Sequence, residues 1–166
     1  MRFKKPKNLG FREKEIVKKI INSGVLSNFV ADPKKALTGG KYVEKFERKI
    51  EKYFKVKHAI TVNSWTSGLV TMIGAAGIKQ GDEVILSPWT MSACFSCIIA
   101  WGGVPIFADI DPKTFCIDPI EVRKKITKKT KAILAIDIFG QSSDIKELNK
   151  IAKKNNLLLL SDTAQS

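Results

Sequence analysis

The sequence predicts an α/β fold, a mostly parallel sheet with helices on both faces, and three observations point to it. From residue 58 onward, short aliphatic or β-branched runs alternate with helix-length segments, separated by turn residues. The last run, Leu157-Leu158-Leu159-Leu160-Ser161, is apolar at odd and even positions alike, as strands buried on both faces are. Hydrophobic residues make up 44% of the 166 positions and charged residues 27%, a globular composition that excludes disorder, collagen and coiled coil.

Each element follows from its residues. His58-Ala59-Ile60-Thr61-Val62 has the composition of a short strand. A helix is expected over 66–78, with Gly77 and Gly81 near its end. Glu83-Val84-Ile85-Leu86 reads as a second strand halted by Pro88, and 90–101 as an apolar helix ended by Gly102-Gly103. Val104-Pro105-Ile106-Phe107-Ala108 is a third strand, and Asp109-Ile110-Asp111-Pro112 a turn. Asp118 or Pro119 opens an amphipathic helix to about 126, and a strand follows over 131–136. Asp144 caps a helix to about 154, with Ile145, Leu148 and Ile151 at helical spacing, before the last strand. Upstream, two basic amphipathic helices (about 13–22 and 41–54) flank the loop Ala36-Leu37-Thr38-Gly39-Gly40. The expected organisation is a basic helical segment, 1–35, followed by the sheet domain, 36–166.

Composition narrows the function. The chain has 29 Lys+Arg against 16 Asp+Glu, a formal net charge of +13. Lys4, Lys5, Lys7, Lys18, Lys19, Arg123, Lys124, Lys125, Lys128, Lys129 and Lys131 spread that excess along the chain. Lysine dominates, whereas base reading and bidentate grip on phosphates favour arginine. The charge reads as solvated helix faces and compositional bias rather than as an attractor for a polyanion or a phosphorylated small molecule. No apolar run approaches the ~20 residues of a membrane span, and no hydrophobic signal core follows the basic start, so a cytoplasmic protein is expected. Three cysteines make a poor disulfide framework. Cys94 and Cys97 form a C-x2-C, but zinc wants four ligands, and the single histidine, His58, is distant in sequence. The pair reads as one face of an apolar helix.

Two strand ends could carry chemistry. In Val62-Asn63-Ser64-Trp65-Thr66-Ser67-Gly68-Leu69 a strand is expected to turn into a helix through small hydroxylated residues. A helix start presents unpaired N–H groups and the positive end of the dipole, which suit a phosphate; a plain Ser/Thr cap would look the same. In Leu160-Ser161-Asp162-Thr163-Ala164-Gln165-Ser166 a carboxylate stands at the end of the apolar strand. Such a carboxylate is costly without a cationic or hydrogen-bonding partner. A protonated ring nitrogen would serve, and so would a role as helix cap. Parallel strands put both ends on one sheet edge, where ligands bind.

An ordered set of motifs runs through the chain. It comprises Gly39-Gly40, Val43, Phe46-Glu47, the run from His58-Ala59 to Leu69, Gly81-Asp82-Glu83-Val84-Ile85 and Pro88-Trp89-Thr90-Met91-Ser92-Ala93. Pro105-Ile106-Phe107-Ala108-Asp109-Ile110-Asp111, Ile126-Thr127, Lys129-Thr130-Lys131-Ala132-Ile133, Phe139-Gly140 and Asp162-Thr163-Ala164-Gln165 complete it. Over about residues 36–166 this resembles the N-terminal part of the DegT/StrS-like nucleotide-sugar aminotransferases, pyridoxal phosphate (PLP) enzymes of the type I aminotransferase fold. The resemblance implies that 36–166 is a partial PLP-binding large domain. It matches the family's Ser-Gly-Thr phosphate turn to Ser64, Trp65 and Thr66, its ring-nitrogen carboxylate to Asp162 and its cofactor-contacting glutamine to Gln165. The family's ring-stacking aromatic falls at Met91, whose thioether can also pack on a ring face, and Trp65 stands where the family has glycine. The family's lysine that carries the cofactor lies beyond the Asp-x-x-Gln motif, past Ser166, so no catalytic residue is assigned and this chain alone is expected to be inactive. The implied partners are a nucleotide-linked keto-sugar and an amino donor, glutamate, in amino-sugar and surface-polysaccharide synthesis, with a homodimer for the complete enzyme. A PLP-dependent sugar dehydratase of the same fold, and a non-catalytic basic binding protein, are the alternatives.

Overall fold

The computed structural model describes residues 9–26 and 39–166. Lys4, Lys5, Lys7, Ala36, Leu37, Thr38 and the expected boundary between residues 35 and 36 lie outside the described residues. Contacts divide the chain into two compact units, with the break between Thr61 and Val62.

The first unit carries α1 (Phe11–Asn22) and α2 (Lys41–Phe54), close to the two helices the sequence predicts. The strand expected over 58–62 does not form. The amides of Ala59 and Thr61 donate instead to the carboxylates of Glu51 and Glu47 on α2, at 3.2 and 2.8 Å. With their donors taken by side chains, these residues have no need of a ladder partner.

The second unit is built on four parallel strands, β1 (Glu83–Leu86), β2 (Val104–Phe107), β3 (Thr130–Ile136) and β4 (Leu158–Asp162), in the order β2-β1-β3-β4. The helices are α3 (Trp65–Ala75), α4 (Ala93–Ala100), α5 (Pro119–Lys125) and α6 (Ile145–Lys154), and one 3-10 turn spans Ile138–Gly140. Strand alternation divides the apolar residues between two cores. Val84, Leu86, Ala132, Leu134 and Ile136 pack with Leu69, Ile73, Cys94, Cys97 and Ile98 of α3 and α4. Ile85, Ile133 and Ala135 pack with Val122 of α5 and Leu148, Ile151 and Ala152 of α6. The sheet is therefore covered on both faces, as the sequence predicts. Cys94 and Cys97 form, with Ile98, the buried face of α4. Asp118 and Asp144 cap α5 and α6, their carboxylates accepting from Ile120 N at 2.7 Å and Glu147 N at 3.0 Å. Arg123 pairs with Glu147 across these helices and Lys124 with Glu121, so part of the basic excess is spent on the solvated surface.

One expectation needs correction. The apolar run of β4 meets a core on each face but is only partly buried: Leu158 is 47% exposed and only Asp162 of this strand is buried. Among the described residues its register places it beside β3 alone, Ala132 opposite Leu158 through Ile136 opposite Asp162, so one flank has no strand partner there.

The connection from β1 to β2 runs through α4 on one face, while α5 and α6 return on the other. The strand order thus reverses between β1 and β3. That reversal opens a crevice at the carboxyl edge, the usual ligand position in such sheets.

Candidate functional site

Ser64 opens α3. Its backbone is extended (φ −157°, ψ 159°), and its Oγ accepts from Ser67 N at 3.2 Å and lies 3.0 Å from Ser67 Oγ. With Ser67 N capped, the N–H groups of Trp65 and Thr66 are left without an acceptor among the described residues. They form the donor-rich end that a helix start provides.

Asp162 ends β4 and is 5% exposed. Its Oδ1 accepts from Trp65 Nε1 at 2.6 Å and from Ala164 N at 3.0 Å. Its Oδ2 accepts from Cys94 Sγ at 3.2 Å. All three donors are neutral, and among the described residues no ion pair involves Asp162. The Cys94 thiol lies 3.1 Å from Thr90 Oγ1. Burial pushes it up to about 12, opposed by the hydrogen bond with Thr90 and reinforced by Asp162, so it stays protonated and can donate.

A cavity of about 210 Å³ lies between these elements, lined among others by Trp65, Thr66, Met91, Asp162 and Gln165. Five of the six residues expected from the sequence therefore share one pocket, and Ser64, the sixth, shapes it as the cap of α3. Met91 is 65% exposed and Trp89 50% exposed, so neither is a core residue. Gln165 also has a second duty: its Oε1 accepts from Phe139 N at 2.6 Å and holds Phe139 at φ 55°.

Sequence reasoning missed three contributors. Cys94 reaches Asp162 from 68 residues upstream, with Thr90 behind it on the Cys94 thiol, a separation that leaves no local signal. Asp137, 6% exposed at the end of β3, accepts from Ser143 N at 2.9 Å and from Ser166 Oγ at 3.3 Å, closing the wall beside Gln165. A carboxylate directly after an apolar strand is the same signal that singled out Asp162.

The donor set suits a phosphorylated heteroaromatic cofactor: free helix N–H groups at one end, and at the other a buried carboxylate lacking a cationic partner. Comparison with known proteins agrees with that chemistry. The chain is similar to the GDP-perosamine synthase of Vibrio cholerae, 39% identical over 127 residues that cover 76% of this chain and 35% of that protein. Among solved structures it is similar to NtdA from Bacillus subtilis with bound cofactor PMP (pyridoxamine phosphate), with a TM-score of 0.83 and 31% identity over 92% of this chain and 33% of that one. It is also similar to the GDP-4-keto-6-deoxy-D-mannose-3-dehydratase of E. coli with bound hydrated PLP, with a TM-score of 0.80 and 27% identity over 95% and 39%. The chain thus spans about a third to two fifths of the length of these proteins. A family model matches residues 26–166, a span that includes both ends of the pocket, and on that match the chain belongs to the DegT/DnrJ/EryC1/StrS aminotransferase family.

Proposed function

We propose that this chain supplies the N-terminal part of the cofactor-binding domain of a PLP-dependent aminotransferase, with residues 36–166 forming that part. The reaction transfers an amino group, from glutamate, to a nucleotide-linked keto-sugar for amino-sugar and surface-polysaccharide synthesis. The enzyme is a cytoplasmic homodimer; no helix among the described residues is long and apolar enough to cross a membrane.

The observation that carries the reading is the meeting of the α3 start and Asp162 across one cavity, joined by the 2.6 Å bond from Trp65. In this proposal the free N–H groups of Trp65 and Thr66, with the hydroxyls of Ser64 and Thr66, hold the phosphate. Asp162 accepts from the ring nitrogen and keeps a proton there, since a buried carboxylate favours a cation beside it. Met91 and Gln165 wall the ring. When bound, the cofactor supplies an electron sink for proton shifts on the carbon bearing the amino group. The protein's part is to keep the ring protonated, oriented and shielded from water.

The test is a titration with pyridoxamine 5'-phosphate, followed by equilibrium dialysis. Binding is expected, with pyridoxamine lacking the phosphate binding more weakly. Asp162→Asn is expected to weaken binding by about tenfold or more, because it removes a charge-assisted hydrogen bond. Failure of the natural chain to bind the probe would reject the proposal. Salt-sensitive retention of nucleic acid in its place would favour the basic binding protein.

A further inference from the structure

Trp65 is more than the middle of a phosphate turn. Its side chain runs from the helix start to Asp162, the same span that separates the two ends of the proposed cofactor site. Two features fix it there. The indole Nε1 is committed to Asp162 Oδ1 at 2.6 Å. Its six-membered ring lies over Gly68, where an added Cβ would stand 3.2 Å from Trp65 Cε3. The glycine gives the ring a seat one turn into α3, and Trp65, 42% exposed, still borders the cavity.

Lone-pair accounting at Asp162 makes the arrangement directional. Each carboxylate oxygen offers about two acceptor sites. Oδ1 already accepts from Trp65 and Ala164, whereas Oδ2 accepts only from Cys94. An incoming ring N–H is therefore left the open site on Oδ2, beside an indole held in place by the same carboxylate. Tryptophan offers the strongest face of any side chain to a cation, and a protonated pyridine ring is both flat and cationic. Met91, which also lines the cavity, is flexible and non-aromatic.

We propose that Trp65 is the aromatic partner of the cofactor ring, anchored through its indole N–H to Asp162, so that this site selects flat cationic rings over saturated phosphates. The inference rests on the proposed cofactor reading and adds to it the element that recognises the ring. It is tested by titrating the chain with pyridoxamine 5'-phosphate and with glycerol phosphate, reading affinity by dialysis and tryptophan emission by fluorescence. Trp65→Leu is expected to weaken the pyridoxamine phosphate complex by about tenfold and to leave glycerol phosphate within about twofold. Trp65→Phe, which keeps a ring and loses the N–H, is expected to weaken it by about threefold and to abolish most of the ligand-induced quench. Trp89→Phe is expected to keep that quench. Circular dichroism and thermal melting confirm that each variant folds, and the aromatic Phe variant keeps the test open if Leu does not. The proposal is overturned if Trp65→Leu or Trp65→Phe binds the probe as the natural chain does, or if the quench survives Trp65→Phe. No binding by the natural chain would instead sink the parent reading, and this one with it.

Discussion

Cys94 and Cys97 carry thiols that burial pushes up, to about 12 and about 11 respectively. A thiol whose folded value lies above its unfolded one near 9 favours the folded state fully at lower pH. Once the pH passes the unfolded value, the unfolded chain sheds protons that the folded chain retains, and stability falls until the folded thiols titrate. The thermal midpoint is therefore expected to decline between about pH 9 and pH 12, and Cys97→Ala should flatten that decline. Melting curves across that range check it. The same burial makes both thiols poor nucleophiles, so a disulfide reagent at pH 8 is expected to leave them unmodified until the protein is denatured. Asp162 owes its geometry to such residues. The sequence shows its type and its place after an apolar strand, while the donors holding it come from positions with no sequence signature. That is why the carboxylate was legible and its hydrogen-bond shell was not.

Helix α3 combines a legible start with a hidden packing constraint. Its Ser64 cap is readable from Asn63-Ser64 ahead of a helical stretch, and Ser64→Ala is expected to cost about 1 kcal/mol, measured by urea denaturation. Gly74 gives no such signal. A Cβ there would fall 2.2 Å from Trp101 Cζ2, whose indole Nε1 donates to Val70 O at 2.8 Å. Gly74→Ala should stabilise an isolated helix, yet here it is expected to destabilise by about 1–3 kcal/mol, because the indole at the end of α4 must leave its slot. A stabilised variant would contradict the observed contact. Strands β1, β2 and β3 were recoverable from composition because their neighbours in sequence are turns and helices that close on them. The run 58–62 has the same composition and fails as a strand, because Glu47 and Glu51 answer its amides before any ladder can. Composition reports what a segment could pair with, and the competing acceptor lies on another element.

At the scale of the molecule, the sheet divides its burden unevenly. Leu134 of β3 is fully buried in the core beneath α3 and α4, whereas Leu158 of β4 is 47% exposed. Leu134→Ala is expected to cost about 2–5 kcal/mol and Leu158→Ala under about 1 kcal/mol, both read from denaturant midpoints. Equal costs would mean that the two strands are covered alike. The parallel class, the two-sided covering and the place of the candidate pocket at the carboxyl edge were all legible, since they follow from alternation and connection rules. The exposure of β4 was not, because an all-leucine run looks the same whether one flank is paired or two.

The ladder between β3 and β4 also governs where chemistry can happen. Leu160 joins the α3 and α4 side while Leu159 joins the other, so Asp162 falls on the pocket side by parity alone. Inserting one residue between Leu159 and Leu160 would leave composition, charge and hydropathy almost untouched, yet it would turn Ser161 toward Trp65 and hand the carboxylate to the opposite layer. A frame of odd and even positions, counted from Ala132 opposite Leu158, is thus as much a part of the candidate site as the acid itself.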